Sequence, residues 1–193
     1  MTKYILHGGF TRIDNDLNRS FFKEIVHAIP KGGIVVLVFF AAEDGNVSEK
    51  ASAITESIKA QTGGKIVNVV VANEKDFLNQ LTQASAVYIH GGSTPKLLEI
   101  LKKYPDLKKY LDGKTVAGSS AGAYAIGRYS PFHDDESGGK VREGLGLLPL
   151  RVVCHYDSLD LPPNPKALSL LENTAPELKL VLLKDCEWKV FRA

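Results

Sequence analysis

The sequence is short of cysteine. Its two thiols, Cys154 and Cys186, cannot build the disulfide framework of a small secreted protein, and they lack metal-site spacing. Both are expected to be reduced and buried. No apolar run approaches the length of a membrane span, and the opening MTKYILHGG lacks the long apolar core of a secretion signal, so a cytoplasmic location is expected. A strong charge imbalance is also missing. The formal net charge is +2, and basic residues fall in scattered pairs such as Lys102-Lys103 and Lys108-Lys109 beside a helical pattern. That reads as a solvated face and not as a nucleic-acid patch. With no repeat, low-complexity tract or Pro/Gly/Ser linker, residues 1–193 are expected to form a single domain.

What is present is a regular alternation. Lys3 to His7 reads as a strand that stops at Gly8-Gly9, and Asp16 to Ile29 has helical spacing closed by Pro30. Ile34 to Phe40 is a nearly continuous β-branched run, as expected of a central parallel strand covered on both faces. Helix from Val47 to Gln61, strand from Lys65 to Val71, helix from Glu74 to Gln83 and strand from Ala86 to His90 follow. Ser93 and Thr94 open a further helix, Asp106 to Leu111 another, and Lys114 to Ala117 is the fifth strand. Beyond the helix Ser120 to Gly127, residues Arg128 to Glu143 read as a polar loop or hairpin. Arg151 to Cys154 is a strand, Lys166 to Asn173 a helix, and Leu178 to Leu183 and Trp188 to Phe191 are the last strands. The expected fold class is α/β: a mostly parallel open sheet with helices on both faces, whose ligands bind beyond the carboxyl ends of the strands.

One stretch at such an end carries chemistry. KTVAGSSAGAY, Lys114 to Tyr124, runs from a strand through Gly118-Ser119-Ser120-Ala121-Gly122 into a helix. This is a G-x-S-x-G turn, in which small neighbours let the chain bend sharply enough to project the central serine, here Ser120, from the sheet. The pattern alone reads equally as a tight strand-to-helix connection. A serine nucleophile needs a base, and the base needs a third group to orient it. Of five histidines, His27 falls in a helix pattern, His7 and His90 precede Gly-Gly pairs and read as packed residues bordering the site, and His133 lies in the polar loop. His155 ends a strand downstream of Ser120, which would bring it to the same sheet edge. Asp134, Asp135 and Glu136, clustered in the intervening loop, are the candidate acids. A metal site from His133, Asp134, Asp135 and His155 lacks regular ligand spacing. A Cys154–His155 dyad is disfavoured because neighbouring strand side chains point to opposite faces.

Four blocks in order, IHGGSTPKLLEIL (Ile89 to Leu101), AGSSAGAY (Ala117 to Tyr124), GLGLLPL (Gly144 to Leu150) and CHYD (Cys154 to Asp157), resemble the serine peptidase family of dipeptidase E and cyanophycinase. The resemblance implies a fold similar to class I glutamine amidotransferases, with Ser120 as nucleophile and His155 as general base. Ungapped matching from Ser120 gives Asp135 as the acid, with Asp134 the close alternative. It also implies an oxyanion hole of backbone N–H groups from the Gly91-Gly92 turn and from Ala121. The expected activity is hydrolysis of short peptides, with no cofactor and no metal. The expected partners are a short peptide substrate and a second copy of the chain in a homodimer, with no nucleic acid and no membrane.

Two departures stand out. Members that cleave after an N-terminal aspartate carry an arginine-containing stretch beyond the histidine, whereas this chain reads SLDLPPNPKALSLL there, with Lys166 the sole cation. Members also usually continue through another strand or hairpin past the position of Ala193. A noncatalytic binding domain on the same fold is the alternative reading. An α/β-hydrolase esterase is a third, but too little chain follows Ser120 for that fold.

Overall fold

The computed structural model describes residues 1–42, 45–132 and 139–193. The chain begins with β1 (Lys3–His7), α1 (Asp16–Val26), β2 (Ile34–Val38), α2 (Val47–Ala60), β3 (Asn68–Val71), α3 (Phe77–Gln83) and β4 (Ala86–Ile89). It continues with α4 (Thr94–Leu101), α5 (Leu107–Leu111), β5 (Thr115–Ser119) and α6 (Ala121–Ile126). Six strands form one sheet in the order β10-β1-β5-β4-β2-β3, where β10 (Trp188–Arg192) runs antiparallel to β1 and the other pairs are parallel. The expected α/β architecture is therefore present, with helices on both faces. Alternation along each strand divides the core. Tyr4, Leu6, Val36, Val87 and Val116 point to the face covered by α3, α4 and α6, while Ile5, Val35, Leu37, Tyr88 and Ala117 point to α1 and α2.

Local chemistry sets the ends of the helices. Asn15 caps α1 by accepting the N–H of Asn18 at 2.8 Å. The helix stops at Val26, short of the expected Ile29, because Pro30 disfavours helical backbone at the residue before it. In α7 (Pro165–Asn173), Asn164 accepts the N–H groups of both Lys166 and Ala167. No helix among the described residues is long and apolar enough to cross a membrane.

The sequence reading placed the strand that ends before His155 in the same sheet as the strand that ends before Ser120, and the structure corrects this. β6 (Tyr129–Pro131), β7 (Val141–Glu143), β8 (Leu150–Val153) and β9 (Lys179–Leu182) form a second sheet in the order β7-β6-β8-β9. The segment read as a loop or hairpin is thus an antiparallel pair, β6 with β7, around residues outside the described set. All four residues of β8 are buried, as in a central strand, so its burial pattern does not reveal which sheet it joins.

Arg151, on β8, fastens α7 to this second sheet. It is 7% exposed, and its guanidinium donates to the carbonyls of Leu171 (3.1 Å), Glu172 (2.7 Å), Pro176 (3.3 Å) and Leu178 (2.9 Å). Leu171 and Glu172 belong to the last turn of α7, whose carbonyls have no partner within the helix and favour a cation. Replacing Arg151 by leucine removes the guanidinium donors from these carbonyls, of which Leu171 keeps the Thr174 N–H, and should lower unfolding free energy by about 2–4 kcal/mol. Urea denaturation checks this, with the midpoint falling at unchanged slope. Arg151→Lys should recover little of the loss, since a single ammonium cannot replace a planar fork.

Candidate active site

Ser120 stands between β5 and α6 with φ 51° and ψ −112°, a left-handed backbone that costs a non-glycine residue on the order of 1–3 kcal/mol. The surroundings enforce it. The Ser120 N–H donates to the His7 carbonyl at 3.0 Å, and its own carbonyl accepts the Tyr124 N–H at 3.0 Å. Gly122 permits the close packing of α6 on β4, because a Cβ there would lie 2.2 Å from the Ile89 carbonyl oxygen. The G-x-S-x-G stretch is thus a strand-to-helix elbow with the serine at its strained apex.

His155 lies two residues beyond Val153, the last residue of β8, and it is 3% exposed. Its N–H donates to the Gly8 carbonyl at 3.1 Å. Gly9 lies flush against the imidazole, since a Cβ at that position would come within 2.1 Å of Cε1. Phe10 meets the ring edge-on, with centroids 5.1 Å apart. A buried tie sets the spacing between elbow and histidine: the Tyr124 hydroxyl, on α6, donates to the Cys154 carbonyl (3.2 Å) and accepts the Cys154 N–H (3.0 Å).

The result is a relay. Ser120 Oγ lies 2.9 Å from His155 Nε2, and His155 Nδ1 lies 2.8 Å from Asp185 Oδ1. A carboxylate can only accept, so Nδ1 carries the proton and Nε2 is free to receive that of the serine. Asp185 sits between β9 and β10, and the Cys186 N–H beside it donates to the Gly9 carbonyl at 3.1 Å. The resemblance implied Asp135 in the orienting role. Asp135, with Asp134, Glu136 and His133, lies outside the described residues. Among the described residues the carboxylate on Nδ1 is Asp185, which the sequence reading did not single out. Its signal was an acid just past the carboxyl end of an apolar strand, in VLLKDCEW.

The other expected site residues surround the serine. Gly91 packs on the elbow, where a Cβ would sit 3.2 Å from Ser120 Cβ, and Gly92 turns away at φ 134° against Ala41. Ala121 is the first residue of α6, where helix geometry leaves the N–H without an intrahelical acceptor. Lys166 is exposed in the first turn of α7, on a surface shared with Pro165, Ser169 and Leu170 that includes none of Ser120, His155 or Asp185. Burial pushes the Cys154 thiol well above its ordinary pKa, and its sulfur faces the carbonyls of His7 and Ser120, so it is unsuited to act as a nucleophile. Among the described residues no group of three His, Cys, Asp or Glu could hold a metal.

His7 is the packed histidine that the sequence suggested. It is fully buried, with Nδ1 accepting the Gly9 N–H at 3.0 Å and Nε2 donating to Asn18 Oδ1 at 2.8 Å. Asn18 in turn donates to the carbonyls of Phe10 (2.9 Å) and Ile13 (2.7 Å), which fixes the loop carrying Gly9 and Phe10. Burial, the largest effect, lowers the pKa of His7 to about 4, partly opposed by the hydrogen bond to Asn18.

The profile of peptidase family S51 matches residues 5–191. No curated protein sequence matches the chain. Among solved structures, a peptidase from an acI-B1 Actinobacterium superposes with a TM-score of 0.74 at 20% identity, covering 100% of this chain and 84% of that one. A putative peptidase E protein from Listeria monocytogenes EGD-e superposes with a TM-score of 0.67 at 18% identity, covering 100% and 95%. At these identities the two structures speak for the fold.

The state of His7 has a measurable consequence. The unfolded chain protonates His7 below pH 6.5, whereas the folded chain resists until about pH 4. Stability should therefore fall as pH drops from 6.5 to 4, by roughly 3 kcal/mol from this group, and be indifferent to it above 6.5. Urea midpoints at pH 7 and pH 4.5 for wild type and His7→Gln check this: the variant should lose much of the pH dependence, and an unchanged dependence would contradict the assignment.

Proposed function

The chain belongs to peptidase family S51, and we propose that it is a serine peptidase of short peptides that works through an acyl-enzyme on Ser120. The observation that carries this reading is the relay from Ser120 Oγ to His155 Nε2 at 2.9 Å and from His155 Nδ1 to Asp185 at 2.8 Å. A hydroxyl is a weak nucleophile until a base within this reach takes its proton.

In the first half-reaction Ser120 Oγ attacks the peptide carbonyl carbon as His155 Nε2 takes the hydroxyl proton. The carbonyl oxygen becomes an oxyanion, for which N–H groups of the Gly91-Gly92 turn and of Ala121 are the donors. Asp185 holds the imidazole in the required tautomer and stabilises the imidazolium. The C–N bond then breaks, His155 returns its proton to the departing amine, and the acyl group remains as an ester on Ser120. Water enters, His155 takes its proton, and attack on the ester releases the carboxylic acid and regenerates the serine. The nearly complete burial of His155 supports this chemistry, because fixed dipoles act more strongly where bulk water is excluded.

The proposal is tested with a fluorophosphonate and a dipeptide library. Wild type should be labelled on Ser120 and should hydrolyse library members; Ser120→Ala should do neither. Asp185→Asn, which leaves the histidine with the wrong tautomer, should slow both reactions by roughly 10³- to 10⁴-fold, whereas Asp135→Asn should retain most of the wild-type rate. Wild-type rates in Asp185→Asn would remove Asp185 from the relay. An intact, folded protein that labels on no serine would remove the function.

A further inference from the structure

A cleft of about 400 Å³ opens between α1, α2 and residues 11–14, with Asn18, Ile54 and His90 in its walls. Its lining includes neither Ser120 nor His155, but two short stretches of chain lead from it to the relay. His90 precedes Gly91, which packs on Ser120, and Arg12 is two residues beyond Phe10, whose ring stands edge-on to His155.

We propose that Arg12 is the anchor for a carboxylate on the leaving-group side of the substrate, so that the cleft takes short peptides with a free C-terminus. This rests on reading Ser120 as the nucleophile. The charge pattern of the cleft supports it. Among the described residues of its lining, two arginines, Arg12 and Arg19, stand on the side of α1 and the segment 11–14. Arg19 is already committed, held by Asp14 and by Asp16 at 2.8 Å. Among the described residues no carboxylate pairs with Arg12. Its guanidinium carbon instead lies 5.9 Å from the centre of the Phe10 ring, at the outer reach of a cation–π contact.

Reaction geometry assigns the side. His155 Nε2 must deliver a proton to the departing nitrogen, so the leaving residue lies against the imidazole, whereas the acyl part lies toward the oxyanion donors of the Gly91-Gly92 turn. Phe10 covers the imidazole and Arg12 lies beyond Phe10. The guanidinium therefore borders the path of the leaving group. Its distance from the imidazole cannot exceed the 5.1 Å and 5.9 Å separations laid end to end. One or two residues of peptide at about 3.5 Å each, closed by a guanidinium–carboxylate pair, span that gap. A guanidinium is charged at any working pH and grips a carboxylate with two parallel bonds, which an amide cannot accept in the same way.

The test uses wild type, Arg12→Gln and Arg12→Lys on di- and tripeptides supplied as free acids and as C-terminal amides, with Asp and Asn versions of each to separate a side-chain carboxylate from the terminal one. Arg12 is exposed, so its replacement should leave the fold intact. Wild type should prefer free acids by about tenfold or more in kcat/KM, carried mainly by KM, as expected for binding retained from ground state to transition state. Arg12→Gln should erase the preference by raising KM for the free acids to the level of the amides, and Arg12→Lys should restore part of it. Free-acid peptides should also protect Ser120 from the fluorophosphonate in wild type and not in Arg12→Gln, a readout that needs no turnover. Equal use of acids and amides by wild type, a preference that survives Arg12→Gln, or a preference that follows the Asp side chain would each overturn the proposal. Failure of Ser120 to label at all would overturn the peptidase reading and this inference together, and it is seen without any peptide present.

Discussion

Three consecutive carbonyls at the end of β1 hold the candidate active site together. The His7 carbonyl accepts the Ser120 N–H, the Gly8 carbonyl accepts the His155 N–H, and the Gly9 carbonyl accepts the Cys186 N–H beside Asp185. Each bond contributes only about 1 kcal/mol to stability. Their joint effect is geometric. They tie the first sheet's elbow, the end of the second sheet's β8 and the β9–β10 connection to a single short segment, so the three side chains meet although 35 and 30 residues separate them along the chain. Preorganisation of this kind is what turns hydrogen-bond reach into catalysis.

The segment can serve this purpose because it is itself held rigidly. His7 is level with Ser119 in the β1–β5 register, and its ring spans Gly9 on one side and Asn18 on the other. A protonated His7 could not accept the Gly9 N–H, so keeping this histidine neutral keeps the turn closed. The Tyr124 hydroxyl supplies the complementary constraint from α6 to Cys154. Ser120 and His155 both adopt left-handed backbone, at φ 51° and 58°. Two strained residues facing one another persist only where surrounding bonds over-determine them.

Much of this was legible in the sequence, for physical reasons. Apolar runs ending in Gly-Gly marked the strand ends, G-x-S-x-G marked the elbow at Ser120, and His155 stood out as the histidine ending a strand downstream of it. These are local signals, because the strand period, the helix period and the steric demands of a sharp turn are all written within a few residues. Asp185 was not legible. Its role depends on where the loop after β9 lands, which follows from β8 and β9 pairing in a second sheet, and a fully buried strand such as Leu150–Val153 gives no hint of which sheet it joins. The acidic run at 134–136 drew attention by composition, whereas Asp185 is picked out by its position on His155 Nδ1. Arg12 was equally silent, an exposed arginine whose interest comes only from the ring it rests on and the relay behind that ring.

The most direct test of this account is Gly9→Ala. The methyl group would collide with the imidazole at 2.1 Å from Cε1, on backbone at φ 118°, and so must push His155 out of line with Ser120. The account predicts a folded protein whose Ser120 reacts with a fluorophosphonate at least roughly a hundredfold more slowly, a loss consistent with displacement of a catalytic group by about an ångström. Labelling of a folded Gly9→Ala protein at the wild-type rate would contradict it.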